Sequence, residues 1–284
     1  MDLRSSAEEI REILELKRQE LHLRFIEEEH KYYMRDTDGI IKTTFPSVSK
    51  VIKKFYEPFD ANGISRRMAG GDVEKQKELL QEWNNAAQYS ANMGSRVHYE
   101  LEKELICRHG GYKEVRQPIF EIDDEQTRRS DNMIYAGKKF IDLMEERGAV
   151  LLDTEIIMGD PHDAYTGQPD KIWLVQNKEK NDFGFVITDY KTNKPKNFEV
   201  QSYTKKMLPP FNTYHDTALS HYYLQLPLYG RLLLNMLRET KYDNKKILGG
   251  IVVLLKDDAE FQEYRVPSDI TKTILTIDIR KYTK

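Results

Sequence analysis

Apolar residues recur at helical spacing in the first third of the chain and gather into short runs in the last half. Residues 4–20 predict an amphipathic helix, with Ile10, Ile13, Leu14 and Leu16 near one face. LRFIEEEHKYYMRDTDGIIKTTF (23–45) predicts a hairpin, with Asp38-Gly39 as its turn signal. Pro46 breaks the chain, and Ser47 can cap a short helix carrying Val48, Val51 and Ile52. Residues 72–108 read as mostly helical, although Gly94 weakens a helix interior. Residues 124–147 read as another helix, closed by Gly148. VLLDTEIIM (150–158) predicts a strand and GDPHDAYTGQ a polar turn. PDKIWLV (169–175) and FGFVITDY (183–190) predict two more strands, separated by the charged turn QNKEKND. Residues 192–216 are long and irregular, with Pro195 and the pair Pro209-Pro210; loops of that length are often functional. TALSHYYLQLPLYGRLLLNMLRE is an apolar-rich helix with an internal Pro227. ILGGIVVLL (247–255) and EFQEYRV are strands, and a final helix begins near Ser268.

This order predicts a mixed α/β core with a helical N-terminal portion. The expected division is 1–90, a hairpin and helical portion packed on the core, and 91–284, the core itself. The chain of 284 residues is long enough to bury its apolar surface without staples. Charged residues make up 32% and the net charge is −3, so bulk charge does not favour a nucleic-acid partner, and such a partner must be held locally. Lys191, Lys194, Lys196, Lys205 and Lys206 form one local group, which charge alone favours as a solvated lysine-rich loop. Cys107 is the one cysteine, which excludes an internal disulfide or a four-cysteine metal site and suggests a reducing, intracellular compartment. No apolar run is long enough to predict a membrane span, and the acidic opening stretch reads as neither a signal nor a transit peptide.

Four short pieces hold polar residues that a core does not need. Asp170 follows Gly167 and Pro169 at a strand start. Asp189 and Lys191 end the next strand and point to the same side, with Tyr190 opposite. His98 lies on the helix after Gly94, and Gln225 and Tyr229 lie four apart on one helix face. Carboxylate oxygens are the ligands Mg²⁺ prefers, and a nearby lysine can orient a water or balance a phosphate. A metal lowers the pKa of bound water and stabilises charge on phosphorus oxygens. The set suits metal-assisted attack of water on a phosphodiester. Each piece also has a plainer reading: a surface ion pair for D-x-K, a turn residue for Asp170, a satisfied histidine for His98, helix packing for Gln225 and Tyr229.

The pieces GSRVH (94–98), GQPD (167–170), ITDYKTN (187–193) and QLPLY (225–229) occur in an order that resembles the PD-(D/E)xK nuclease superfamily, in its RecB-like exonuclease branch. FPSVSKVI further resembles the segment preceding the nuclease core in the mitochondrial genome maintenance exonuclease and related phage nucleases. The resemblance implies a restriction-endonuclease-like fold, a mixed central sheet flanked by helices, and a Mg²⁺- or Mn²⁺-dependent DNA exonuclease of replication, recombination or repair. It implies Asp170, Asp189, His98 and the Tyr190 carbonyl as metal ligands and Lys191 as the residue that positions or activates water. Glu155 is an added metal-site or supporting acid, or else a strand-edge charge. Gln225 and Tyr229 would contact DNA or brace the site. Lys194, Lys196, Tyr203, Lys205 and Lys206 would hold the substrate, a single-stranded or free-ended DNA, with Phe198, Phe211 and Tyr214 as further stacking rings. A helicase or recombination partner would be a separate chain, because no Walker sequence occurs here. The cysteine count departs from the iron–sulfur subfamilies of this branch, so no such cluster is expected. An endonuclease of the same fold and a non-cleaving DNA-binding protein are the alternatives.

Overall fold

The computed structural model describes residues 2–26, 29, 31–42, 45–177, 182–195, 198 and 205–283. Helix α1 (Leu3–Glu20) opens the chain, capped by the Asp2 carboxylate on Arg4 N–H. Ala7, Ile10 and Leu14 form its buried stripe. Leu16, expected on that face, is 59% exposed. It lies two residues past Leu14 and therefore about 200° further round the helix.

The predicted hairpin is a three-stranded meander: β1 (Arg24–Ile26), β2 (Lys31–Arg35) and β3 (Ile41–Lys42), antiparallel in chain order. Its β2–β3 turn is closed by Asp36, whose carboxylate accepts from the N–H groups of Asp38 and Ile40, while Gly39 takes φ 79°. Helices α2 (Val48–Ile52), α3 (Ala61–Met68), α4 (Val73–Arg108) and α5 (Asp124–Glu146) follow. Then come β4 (Val150–Thr154), β5 (Met158–Asp160), β6 (Tyr165–Gly167), β7 (Lys171–Asn177) and β8 (Asp182–Lys191). Helix α6 (Ala218–Met236), β9 (Ile247–Leu255), β10 (Phe261–Arg265) and α7 (Ser268–Thr276) complete the order.

Five strands form the central sheet in the order β10-β9-β8-β7-β4. Only the β8–β9 pair is parallel, and α6 lies in the crossover between them. The sheet is buried on both faces, which is why β7, β8 and β9 contain near-continuous apolar runs. One face packs Val97, Leu101 and Phe140 of α4 and α5 against Trp173, Val186, Tyr190 and Val253. The other packs Ile10, Val51, Leu228 and Ile274 against Ile172, Phe185, Ile187 and Val252. Helices α1 and α2 thus share the sheet's own core.

Two sequence readings are corrected here. Residues 150–158 are not one strand: β4 stops at Thr154, and Glu155 turns through a left-handed φ of 44°. The polar stretch 159–168 is not only a turn, since β5 and β6 pair through it as a hairpin. Its acids are buried because distant partners meet them. Arg231 on α6 holds Asp163 through both Nε and Nη2, and Asn235 donates to Asp160 and Asp163.

Candidate metal centre

Strand register brings the acids together. Lys171 on β7 pairs with Thr188 on β8, so the residue before one stands across from the residue after the other. Those residues are Asp170 and Asp189. On the opposite side Thr154 pairs with Lys171, and Glu155 N–H donates to Asp170 C=O at 3.2 Å. Glu155, Asp170 and Asp189 therefore stand in a row at the end of three adjacent strands. The left-handed backbone of Glu155 is uncommon for a residue with a Cβ and costs about 1–3 kcal/mol, a strain that concentrates at functional sites.

Helix α4 closes the row from one side. A Cβ on Gly94 would stand 3.3 Å from Thr192 Oγ1, so the glycine permits the helix to come close to the end of β8. His98 follows one turn later on the same face. Its Nδ1 lies 3.1 Å from Asp170 Oδ2, and its Nε2 lies 3.1 Å from the Tyr190 carbonyl oxygen. Asp170 Oδ2 also accepts from Tyr190 N–H at 3.0 Å. Ligand atoms of His98, Glu155 and Asp170 all lie within 4.8 Å of one another. Beside them, Asp189 Oδ2 is 2.5 Å from Lys191 Nζ but has no hydrogen bond of proper geometry, although its residue is 1% exposed.

The electrostatics explain what this arrangement lacks. Burial pushes the Asp189 carboxyl up to about 7, and the neighbouring charge of Asp170 adds to that. Burial, with Asp170 beside it, holds Glu155 well above the usual carboxylate range. Burial also works against ionised Asp170, but the charges of His98 and Lys171 and the His98 hydrogen bond outweigh it, so Asp170 sits well below that range. Lys191 is a held ammonium: burial opposes its charge, and Asp189 and Asp170 more than compensate. Buried Asp189 and half-buried Glu155 and Asp170 face two ammonium groups, and Asp189 Oδ2 meets Lys191 without a well-formed hydrogen bond. A cation fits this group of carboxylate oxygens and one imidazole.

The remaining predicted residues separate into two groups. Gln225 donates to Tyr229 OH at 2.9 Å, and Tyr229 is buried. A Cβ on Gly167 would stand 2.7 Å from both the Tyr229 ring and Val48, so α2 and α6 clamp the turn that leads to Asp170. This is bracing. Lys194 is exposed beside the end of β8. Lys205 is engaged by Asp216 at 3.2 Å and by the Glu57 carbonyl, and Lys206 by the Thr213 carbonyl, all near their own loop. Lys196 and Tyr203 lie outside the described residues. Phe198 and Phe211 are core residues, Phe211 edge-on to Phe55 at 5.1 Å, so they cannot serve as stacking platforms. Tyr214 donates to Asp269.

One residue of the site escaped the sequence reading. Lys171 is 1% exposed, with its Nζ 3.8 Å from Asp170 Oδ2 and 3.8 Å above the Tyr190 ring. Its signal was a charged residue in register with Trp173 and Val175, on a strand face that is otherwise apolar. His98, Glu102 and Glu155 line a cleft of about 490 Å³ together with Lys113 and Gln168. Glu102 accepts from Thr154 Oγ1 at 2.7 Å and so ties α4 to the end of β4.

Among the described residues no helix is long and apolar enough to cross a membrane. A scan against protein-family models finds no match to the chain, and neither does a search of curated proteins.

Proposed function

We propose that the chain is a metal-dependent DNA exonuclease with a restriction-endonuclease-like core. The observation that carries this reading is the row Glu155–Asp170–Asp189, half-buried to buried, beside His98, with Lys191 held against it. His98, Asp170 and Glu155 would hold the cation, with Asp189 at its side. Bound there, Mg²⁺ or Mn²⁺ supplies positive charge to the phosphate oxygens and lowers the pKa of an attacking water. Against the cost of burial, Asp189 and Asp170 push the Lys191 pKa up, which favours an ammonium that orients the water or carries phosphate charge. The Tyr222 ring, 4.4 Å from Lys191 Nζ, keeps that ammonium in place. Tyr229 and Gly167 fix the Asp170 turn, and the sheet behind gives the rigid support such a constellation requires. The ordered likeness to the RecB-like branch favours an exonuclease acting in replication, recombination or repair.

The test is a paired digestion of linear and circular DNA, labelled at either end, with Mg²⁺ or with EDTA. Wild type is expected to degrade linear DNA only with metal and to spare circles. Lys191→Ala is expected to lose at least about a hundredfold in rate, the usual scale for removing one positioned donor that stabilises transition-state charge. Cut circles would make the protein an endonuclease. Binding without cleavage across Mg²⁺, Mn²⁺ and Ca²⁺ would remove the nuclease reading.

A further inference from the structure

One face of α4 changes character along its length. Met93, Val97, Leu101 and Leu105 are buried in the core. The same face continues toward the N-terminus through Tyr89 and Asn85 at four-residue spacing. There Tyr89 is half-buried, and Asn85 and Ser90 are exposed. Residues 83–95 contain no Asp, Glu, Lys or Arg, in a chain of which 32% is charged. A face turned to water in this protein carries charges, as Glu100 and Lys103 do further along. A face meant for protein packing is apolar, as at Val97. This stretch is neutral and rich in hydrogen-bonding groups, so it matches neither use.

It forms one wall of a cleft of about 700 Å³ whose floor is Thr192, Asn193 and Lys194. The floor directly follows β8, and Lys194 lies at most about 11 Å along the chain from Lys191. Arg129 of α5 completes the rim, its Nε 3.1 Å from Asp257. Among the described residues no acidic one lines the cleft, which argues against a cation as its ligand. An aromatic ring and a thioether, then amide and hydroxyl groups, then two cations is the order that matches a nucleotide: planar base, polar edge and sugar, anionic phosphate.

We propose that this cleft is a subsite for a nucleotide of a single-stranded nucleic acid, adjoining the phosphate that is cut at the metal centre. The half-buried Tyr89 ring stacks on the base, with buried Met93 behind the cleft wall. The Asn85 amide, whose oxygen already accepts from Gln81, donates to the base edge or sugar, and Ser90 lies beside it. Lys194 and Arg129 hold the backbone. This subsite rests on the nuclease reading above.

The test uses the full chain carrying Lys191→Ala, titrated in EDTA so that the strands stay uncut. Fluorescently labelled oligothymidylate and oligouridylate of equal length are titrated by anisotropy at two salt concentrations. Adding Tyr89→Ala is expected to weaken binding about tenfold or more. Tyr89→Phe, which keeps the ring, is expected to bind like the parent. Lys194→Glu is expected to weaken binding and flatten its salt dependence. Mn²⁺ affinity, measured by calorimetry, is expected to be unchanged in all three. The two oligonucleotides show whether deoxyribose or ribose is preferred. If the parent binds oligonucleotide and neither Tyr89→Ala nor Lys194→Glu weakens it, the subsite is overturned while the nuclease reading stands. If the parent binds neither strand and wild type cuts neither, both fall together.

Discussion

Asp189 sets the protein's response to acid when the metal is removed. Its carboxyl is pushed up to about 7 by burial and by Asp170, whereas in the unfolded chain an aspartate titrates near ~3.9. Between about pH 4 and 7 the native state therefore keeps a proton that the unfolded chain has released. Stability from this group is fully present below that window and is lost as pH rises through it. In EDTA, wild type is expected to melt at a lower temperature at pH 8 than at pH 5, and Asp189→Asn is expected to show a smaller drop. Added Mg²⁺ should recover part of the loss at pH 8 for wild type alone. Equal pH slopes for the two proteins would show that Asp189 is not the titrating group. Much of this site was legible residue by residue, since Asp170, Asp189, Lys191 and His98 each sit in a short ordered motif. Two features were not. The left-handed φ of Glu155 depends on how β4 ends against β7, and Lys171 is buried by a ring contact with Tyr190 that no local pattern encodes.

At the scale of elements, the turn before Asp170 is a packing device. Helix α6 presses Tyr229, and α2 presses Val48, onto Gly167, where no Cβ fits. Gly167→Ala is expected to cost about 1–3 kcal/mol, as overpacked cores do. On the proposed nuclease reading it should also lower the cleavage rate more than Gln225→Ala does, because the displaced turn carries Asp170. Chemical denaturation with parallel rate measurements checks both. An alanine variant of unchanged stability would mean that Tyr229 can swing away freely. The elements themselves were legible to different degrees. Strands β7, β8 and β9 are apolar runs and could be read directly. The β5–β6 hairpin could not, because its buried acids look like a solvent-exposed turn until Arg231 and Asn235 arrive from α6.

For the molecule as a whole, the sheet joins parts that the sequence separated at residue 90. Ile10 and Leu14 of α1 are fully buried in the same core as β7 and β8. Ile10→Ala is expected to destabilise the whole fold by about 2–5 kcal/mol. Its urea unfolding is expected to stay a single transition with an unchanged slope. A separate early transition would instead mark the N-terminal portion as an independent unit. The long helix α4 spans 36 residues, about 54 Å at helical rise, and holds Tyr89, Gly94 and His98 on one rigid rod. Such a rod tolerates changes of residue far better than changes of length. One inserted residue between Tyr89 and His98 would rotate everything on one side of it by about 100° and take the histidine off its carboxylate. The stretch between α4 and α5 is tied to the end of β4 by Tyr112 and Lys113, but it is not helical, so a change of length there does not rotate one residue of α4 against another. Distant relatives of this chain would then share little identity with it and would differ in loop length, yet they would keep the intervals 89–94–98 to the residue.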